Sequence, residues 1–423
     1  MVTRAEGERA RQLDGILAGG GVRSVFQPIV DLDTGLLVGY EALIRGPDGS
    51  PLEQPDRLFE EGRRLGRLNE LELACQKSGL AAAAAGDLTD PWSVFLNVEP
   101  EAALDALKQG MGSPEPGNGD GSHPPRLRVV AELTERFLAA DPAGLLDLVT
   151  LVRSRGWGVA LDDVGADRDS LALLPFIRPD VIKLDLHVIQ QHASAAGAEI
   201  FSAVNAEAER SGAVLLAEGI ETAEHRNVAL SFGATLGQGW LFGRPGPLPR
   251  PLAPPPARPV HIGASDPEVN AAGPFAQAAA TIPARRARKA LLIEMTKHLE
   301  RQAMRSGEAA AVLSCFQHVA FFTPATRRRY GELAQSAAFV GILGQEMPAV
   351  PMPGVRGGPL PPSDPLVREW GIAVVGPHFA ACLVARDLGD DGPDPQRRFD
   401  FVLSHDRQLT ISVATALISR ISH

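Results

Sequence analysis

A carboxylate, Glu41, stands inside the otherwise apolar stretch Tyr40-Glu41-Ala42-Leu43-Ile44-Arg45, which ends a hydrophobic run beginning near Leu36. An inward carboxylate in a strand needs a charged partner, because isolated burial would force it to neutralise. The design recurs down the chain. Asn97 follows Val94-Phe95-Leu96, Glu132 follows Val129-Val130-Ala131, and Asp162-Asp163 follows Val159-Ala160-Leu161. Lys183 comes after Val181-Ile182, Glu218 after Leu215-Leu216-Ala217, and Gln238 near the last such run. Strands separated by helical segments, each delivering one polar residue to a common end, predict a β/α barrel with its site at the strand C-termini. Acidic groups gathered in this way imply metal.

Along the chain, residues 4–17 read as a helix ended by Gly19-Gly20-Gly21. Residues 24–32 and 36–44 read as two strands joined by the hairpin-type turn Asp33-Thr34-Gly35. Helices are predicted over 55–66, 68–85, 142–155, 170–177, 188–211 and 222–232. Asp141-Pro142 suits the start of one of them, an N-cap followed by proline in the first helical position. Residues 110–125 are rich in helix and strand breakers and read as a surface insertion, with His123 solvated. The tract 245–259 is dense in proline and suits a semi-rigid spacer.

Beyond that tract, a basic-to-amphipathic helix is expected over 284–307. Strands are expected at 312–322, 338–343, 371–375, 379–386 and 399–403, with a closing helix over 406–421. The run Arg285-Arg286-Ala287-Arg288-Lys289 reads as a solvated helix face rather than a nucleic-acid patch. The whole is therefore an α/β chain: a (β/α)8 TIM-like barrel whose first strand is antiparallel, then a smaller α+β domain. The expected divisions are 1–250, a linker over 251–273, and 274–423.

Composition narrows the function classes. A formal net charge of −10 argues against binding nucleic-acid polymers, yet bound divalent cations would reverse the potential locally where carboxylates converge. Cys75, Cys315 and Cys382 are too few and too widely spaced for a disulfide frame or zinc site and fit reduced, buried thiols. His298, His318, His378 and His405 lack metal-ligand spacing. No apolar run is long enough to span a bilayer, and residues 1–23 lack an apolar signal core, so a cytoplasmic protein is expected.

The motifs resemble those of the EAL family of cyclic di-GMP phosphodiesterases, in the family's order. They are Phe26-Gln27-Pro28-Ile29-Val30, Glu41-Ala42-Leu43, Asn97, Glu132-Leu133-Thr134-Glu135, Asp162-Asp163, Lys183-Leu184-Asp185, Glu218-Gly219-Ile220-Glu221-Thr222 and Gln238-Gly239-Trp240-Leu241-Phe242-Gly243-Arg244-Pro245. The antiparallel opening pair is also a feature of that family. Phe399-Asp400-Phe401-Val402-Leu403-Ser404-His405-Asp406-Arg407 resembles the end of the DICT domain, a sensory module of bacterial signal transduction.

The resemblance implies hydrolysis of cyclic di-GMP to linear pGpG using two divalent cations, Mg²⁺ or Mn²⁺. It implies Glu41, Asn97, Glu132, Asp162, Asp163 and Glu218 as metal ligands, with Asp162 bridging. Glu41, Lys183 and Glu218 would carry catalysis, Lys183 placing a water and Glu218 serving as base or as ligand. Arg45, Gln27 and Gln238 would meet the substrate, while Glu135 and Glu221 would support loops. A homodimer and an unknown signal at the C-terminal domain are also implied. The family's Phe-Gly-Thr-Gly-Tyr-Ser-Ser after the paired aspartates is replaced here by Val164-Gly165-Ala166-Asp167-Arg168-Asp169-Ser170. That departure keeps a second reading open, a receptor or scaffold with weak or no turnover. Retention of the complete ligand set favours the enzyme.

Overall fold

The structure is a computed structural model that describes residues 4–19, 21–99, 103, 127–134, 141–164, 168–185, 195–254, 259–263, 273–306 and 309–421. The insertion at 110–125, with His123, lies outside the described residues, as do Glu135, positions 165–167 of the substituted loop and the start of the helix expected over 188–211.

Helix α1 (Arg4–Gly19) leads into β1 (Arg23–Asp31) and β2 (Leu37–Arg45), paired antiparallel. The turn between them is shaped by Asp31, whose Oδ1 accepts from the Asp33 and Thr34 N–H groups, while Gly35 takes the left-handed φ of 71° that closes it. Then come α2 (Pro55–Arg64), α3 (Leu68–Ala85), β3 (Ser93–Asn97), β4 (Arg128–Thr134), α4 (Pro142–Ser154), β5 (Gly158–Asp162) and α5 (Arg168–Ile177). The barrel is completed by β6 (Val181–Asp185), α6 (Ala195–Ser211), β7 (Val214–Glu218), α7 (Ala223–Ser231) and β8 (Leu236–Gln238). At the start of α4, Asp141 Oδ1 accepts from Gly144 N at 3.1 Å, with Pro142 in the first turn. Strands β1 to β8 close in sequence order, β1 antiparallel to both neighbours and the rest parallel.

Inside the barrel, side chains stack in levels drawn from alternate strands. Val38, Val130, Val181 and Leu236 come from even-numbered strands; above them Ile29, Phe95, Ala160 and Leu216 come from odd-numbered ones. Moving two residues along a strand moves one side chain up on the same face. The next positions are therefore Glu132, Lys183 and Gln238 on even strands, and Gln27, Asn97, Asp162 and Glu218 on odd ones. Strand β2 is the exception, Glu41 lying three positions beyond Val38 rather than two. A register irregularity opposite Ile29 and Val30 supplies the extra residue. From the lower end, Val260 and Ile262 pack against the apolar levels, and the Val260 carbonyl accepts from Arg128 at 2.6 Å. Part of the linker expected over 251–273 is thus bound to the barrel.

A smaller α+β domain follows, with α8 (Pro274–Thr281), β9 (Arg285–Arg288), α9 (Lys289–Arg305), β10 (Ala311–His318), α10 (Pro324–Ser336), β11 (Phe339–Gln345) and β12 (Arg356–Pro359). It ends with β13 (Glu369–Val375), β14 (Ala380–Asp387), β15 (Arg398–Ser404) and α11 (Arg407–Ile418). The sheet order is β12-β11-β10-β13-β14-β15-β9. The basic run expected on a helix face is instead an edge strand: Arg285–Arg288 pairs with β15, Arg286 binding Asp400 at 2.8 Å, and the helix starts only at Lys289. The strand expected over 312–322 ends at His318 and gives way to a 3₁₀ turn over Val319–Phe321. On one sheet face lie α9 and α10; α11 packs on the other and also meets α5 of the barrel. Arg210 of α6 donates to the Pro377 carbonyl at 2.8 Å, and Ser202 meets His378 at 3.1 Å, so this domain rests on the helices after β5 and β6.

Candidate active site

The two upper levels of the barrel form a polar mouth. Glu41 is 7% exposed and accepts from Asn97 Nδ2 at 2.8 Å and from Gln238 Nε2 at 2.6 Å. The Gln238 amide also donates to Gln27 Oε1 at 3.2 Å, and Gln27 Nε2 reaches the Gly243 carbonyl at 3.3 Å. Gln238 is buried against Glu41, placed to hold that carboxylate.

Lys183 lies at the centre of the mouth. Its ammonium is 2.8 Å from Glu132, 3.1 Å from Asp162 and 2.7 Å from Glu218. Burial works against its charge, but Glu132, Glu218, Glu41 and Asp162 outweigh that and hold Lys183 well above its ordinary value. Burial lifts Glu132 well above the carboxylate range, the charge of Glu41 adding to it and Lys183 opposing. For Glu41 burial also raises, yet Lys183 and the hydrogen bonds from Gln238 and Asn97 leave the carboxyl below its ordinary value. Glu218 is pushed up to about 7, burial leading, with Lys183 opposing and Asp162 reinforcing.

Past the end of β5, Asp163 takes a left-handed φ of 58°, and its N–H donates to Asp162 Oδ1 at 3.0 Å. The turn brings carboxylate oxygens of Asp162, Asp163 and Glu218 within 4.8 Å of one another. Val164 is buried and donates to the Lys183 carbonyl at 3.1 Å, tying the substituted loop to β6. Among the described residues, four carboxylates, Glu41, Glu132, Asp162 and Glu218, therefore act on the Lys183 ammonium. The Lys183 ammonium compensates the buried carboxylate of Glu132. An all-oxygen, carboxylate-rich donor set fits hard divalent cations such as Mg²⁺ or Mn²⁺.

Arg45 ends β2 half-buried, donating to the Ile44 carbonyl at 2.7 Å. Glu221 is exposed in the loop before α7, where its backbone N–H donates to His225. Motif reading missed a cavity of about 380 Å³ beside Asn97, where α2 and α3 pack against β2 and β3; Pro55, Phe59, Arg63, Glu72 and Gln76 line it. Pro55 and Phe59, four apart on α2, are the signal that could have found it.

Residues 10–245 match the family model described as EAL domain, and residues 275–388 the one described as Sensory domain in DIguanylate Cyclases and Two-component system. The cyclic di-GMP phosphodiesterase RocR of Pseudomonas aeruginosa is 30% identical over 236 residues, 55% of this chain and 59% of that protein. The probable cyclic di-GMP phosphodiesterase PdeB of Escherichia coli K12 is 27% identical, over 52% of this chain and 42% of that protein. The chain thus spans less than two thirds of the length of these relatives. Among solved structures, the PaMucR phosphodiesterase in complex with c-di-GMP is similar at 23% identity and a TM-score of 0.46, covering 57% of this chain and 98% of that one. A calcium and c-di-GMP complex of Klebsiella pneumoniae BlrP1 is similar at 26% identity and a TM-score of 0.46, over 57% of this chain and 63% of that one.

Proposed function

The chain belongs to the EAL family, and from that premise we propose that it hydrolyses cyclic di-GMP to linear pGpG with the help of divalent cations. The observation that carries the reading is the single ammonium of Lys183 set among Glu132, Asp162 and Glu218, at the mouth where Glu41 and Asn97 are also bound together. Glu41, Asn97, Glu132, Asp162, Asp163 and Glu218 would hold two such cations, Mg²⁺ or Mn²⁺, which supply an activated water and neutralise phosphate charge.

The protein groups do the rest. Glu41 is fixed by Asn97 and Gln238, so its oxygens need no reorganisation when a ligand arrives. Lys183 orients the attacking water from below and offsets carboxylate repulsion. Glu218, 2.7 Å from Lys183, serves either as a cation ligand or as the base that takes the proton the water loses. Arg45 offers its guanidinium fork to a phosphate. The cavity lined by Pro55, Phe59 and Arg63 gives a guanine base an apolar face and a cationic edge next to Asn97.

The assignment of 1–250 as catalytic, 251–273 as linker and 274–423 as sensory belongs to this proposal, as do the homodimer and control by a signal at the second domain. Contacts of the C-terminal domain with α5 and α6, which follow the strands bearing Asp162 and Lys183, give such control a direct route. The test incubates purified full chain with cyclic di-GMP in Mn²⁺ or Mg²⁺, with and without excess EDTA. The proposal expects pGpG only with the cation present. Tight binding without cleavage in either metal would make the protein a receptor instead.

A further inference from the structure

The C-terminal domain holds a cavity of about 260 Å³ between α9, α10 and the sheet face formed by β10 and β13. It lies on the face opposite α11, away from the barrel. At roughly 30 Å³ per water it has room for about nine waters, the size of one fused ring system. Its apolar walls include four rings, Phe316, Phe321, Tyr330 and Trp370, beside Ile293 and Ile372. Phe316 and Tyr330 stand edge to face at 5.4 Å, and the Tyr330 hydroxyl is committed to Ser314 at 2.6 Å, so the wall is rigid.

Three cations stand at the rim. Lys289, Lys297 and Arg329 line the cavity against Glu300 and Asp394, three cations to two carboxylates. Arg329 binds Glu300 at 2.7 Å and Lys289 binds Asp394 at 2.6 Å, the Lys289 ammonium lying 4.4 Å above the Phe321 ring. Lys297 is thus the cation with no carboxylate of the lining as its partner; its ion pair is with Glu294, outside the cavity. A buried amide, Gln317, completes the wall from a position with φ of 64°, where β10 loses its regular register with β11. A left-handed glutamine at a bulge is held there by its surroundings, a pattern common where a fold shapes a ligand wall.

We propose that this cavity binds a small, flat, ring-bearing monoanion, its ring between Phe316 and Trp370 and its acid group toward Lys297. Binding needs neither the barrel mouth nor catalysis, so it stands or falls apart from the hydrolytic reading.

The test is calorimetric titration of the full chain with 2-naphthoate and, as the neutral match, naphthalene-2-carboxamide. Saturable one-to-one binding of the acid is expected, at least tenfold tighter than the amide. Lys297→Ala should bring the acid to the level of the amide. Ala325→Trp, at an exposed rim position of the cavity, should abolish binding of both while leaving the thermal transition in place. Equal affinity for acid and amide, undiminished binding in Ala325→Trp, or no saturable binding of the acid would each overturn the proposal.

Discussion

Lys183 and Glu132 form an ion pair at 2.8 Å with each residue only 1% exposed, so the barrel mouth holds a salt bridge that solvent does not reach. Removing one partner of such a pair leaves an uncompensated buried charge. Lys183→Met should therefore destabilise the metal-free protein by about 3–5 kcal/mol. Excess Mn²⁺ should restore part of the loss if cations occupy the same carboxylates, while kcat stays low. Unfolding with and without Mn²⁺ checks this; an equal deficit in both conditions would contradict it.

Gln238 is buried against Glu41, so its effect should be on the carboxylate rather than on substrate. Gln238→Leu is expected to lower kcat by about 10- to 100-fold with KM little changed. A rise in KM at constant kcat would return Gln238 to a substrate-contact role.

Glu369 gives a pH dependence far from the mouth. It is 6% exposed and accepts from Phe275 N at 2.9 Å at the start of α8, and burial pushes its carboxyl up to about 7. Below pH 4.5 folded and unfolded chains are both protonated there and the group is neutral in effect. Between pH 4.5 and 7 the unfolded chain ionises first, so stability falls as pH rises, by ~3 kcal/mol at most. Glu369→Gln should flatten that slope, raising stability at pH 8 and changing little at pH 4. The difference between variant and parent in denaturant midpoints across this range is the measurement, and a difference independent of pH would contradict the account.

Val260 closes the lower barrel. Val260→Ala should cost about 1–3 kcal/mol, and a barrel fragment ending at 254 should be less stable than one ending at 264. Equal thermal midpoints for the two fragments would show that this part of the linker contributes nothing to barrel stability.

The barrel was legible because each strand pairs an apolar run with a polar residue, and those residues do meet at one mouth. Their depth was not. A hydrophobic run marks a strand but not its end, so Glu132 and Lys183, expected at strand ends, sit inside β4 and β6, whereas Glu41 sits inside β2 as the strand expected over 36–44 placed it. Ladder pairing hid β9, since Arg285–Arg288 has almost no apolar content and is a strand only because β15 offers an edge and Asp400 a partner. Helix α10 was overlooked despite a readable start, Thr323 capping Thr326 N before Pro324 in the first turn, because Arg327-Arg328-Arg329 masks its apolar stripe. The cavity beside Asn97 and the seat of Val260 exist only through packing of segments distant in sequence.

The central claim is that the oxygen ligands at the barrel mouth hold cations that cleave cyclic di-GMP. Single-turnover release of pGpG, followed for the parent chain and Glu41→Gln while Mn²⁺ is raised from zero to saturation, tests it most directly. The account predicts metal-dependent release by the parent and less than about a hundredth of that rate in Glu41→Gln at every concentration. Release by the parent without metal, or a Glu41→Gln rate equal to the parent's at saturation, would contradict it.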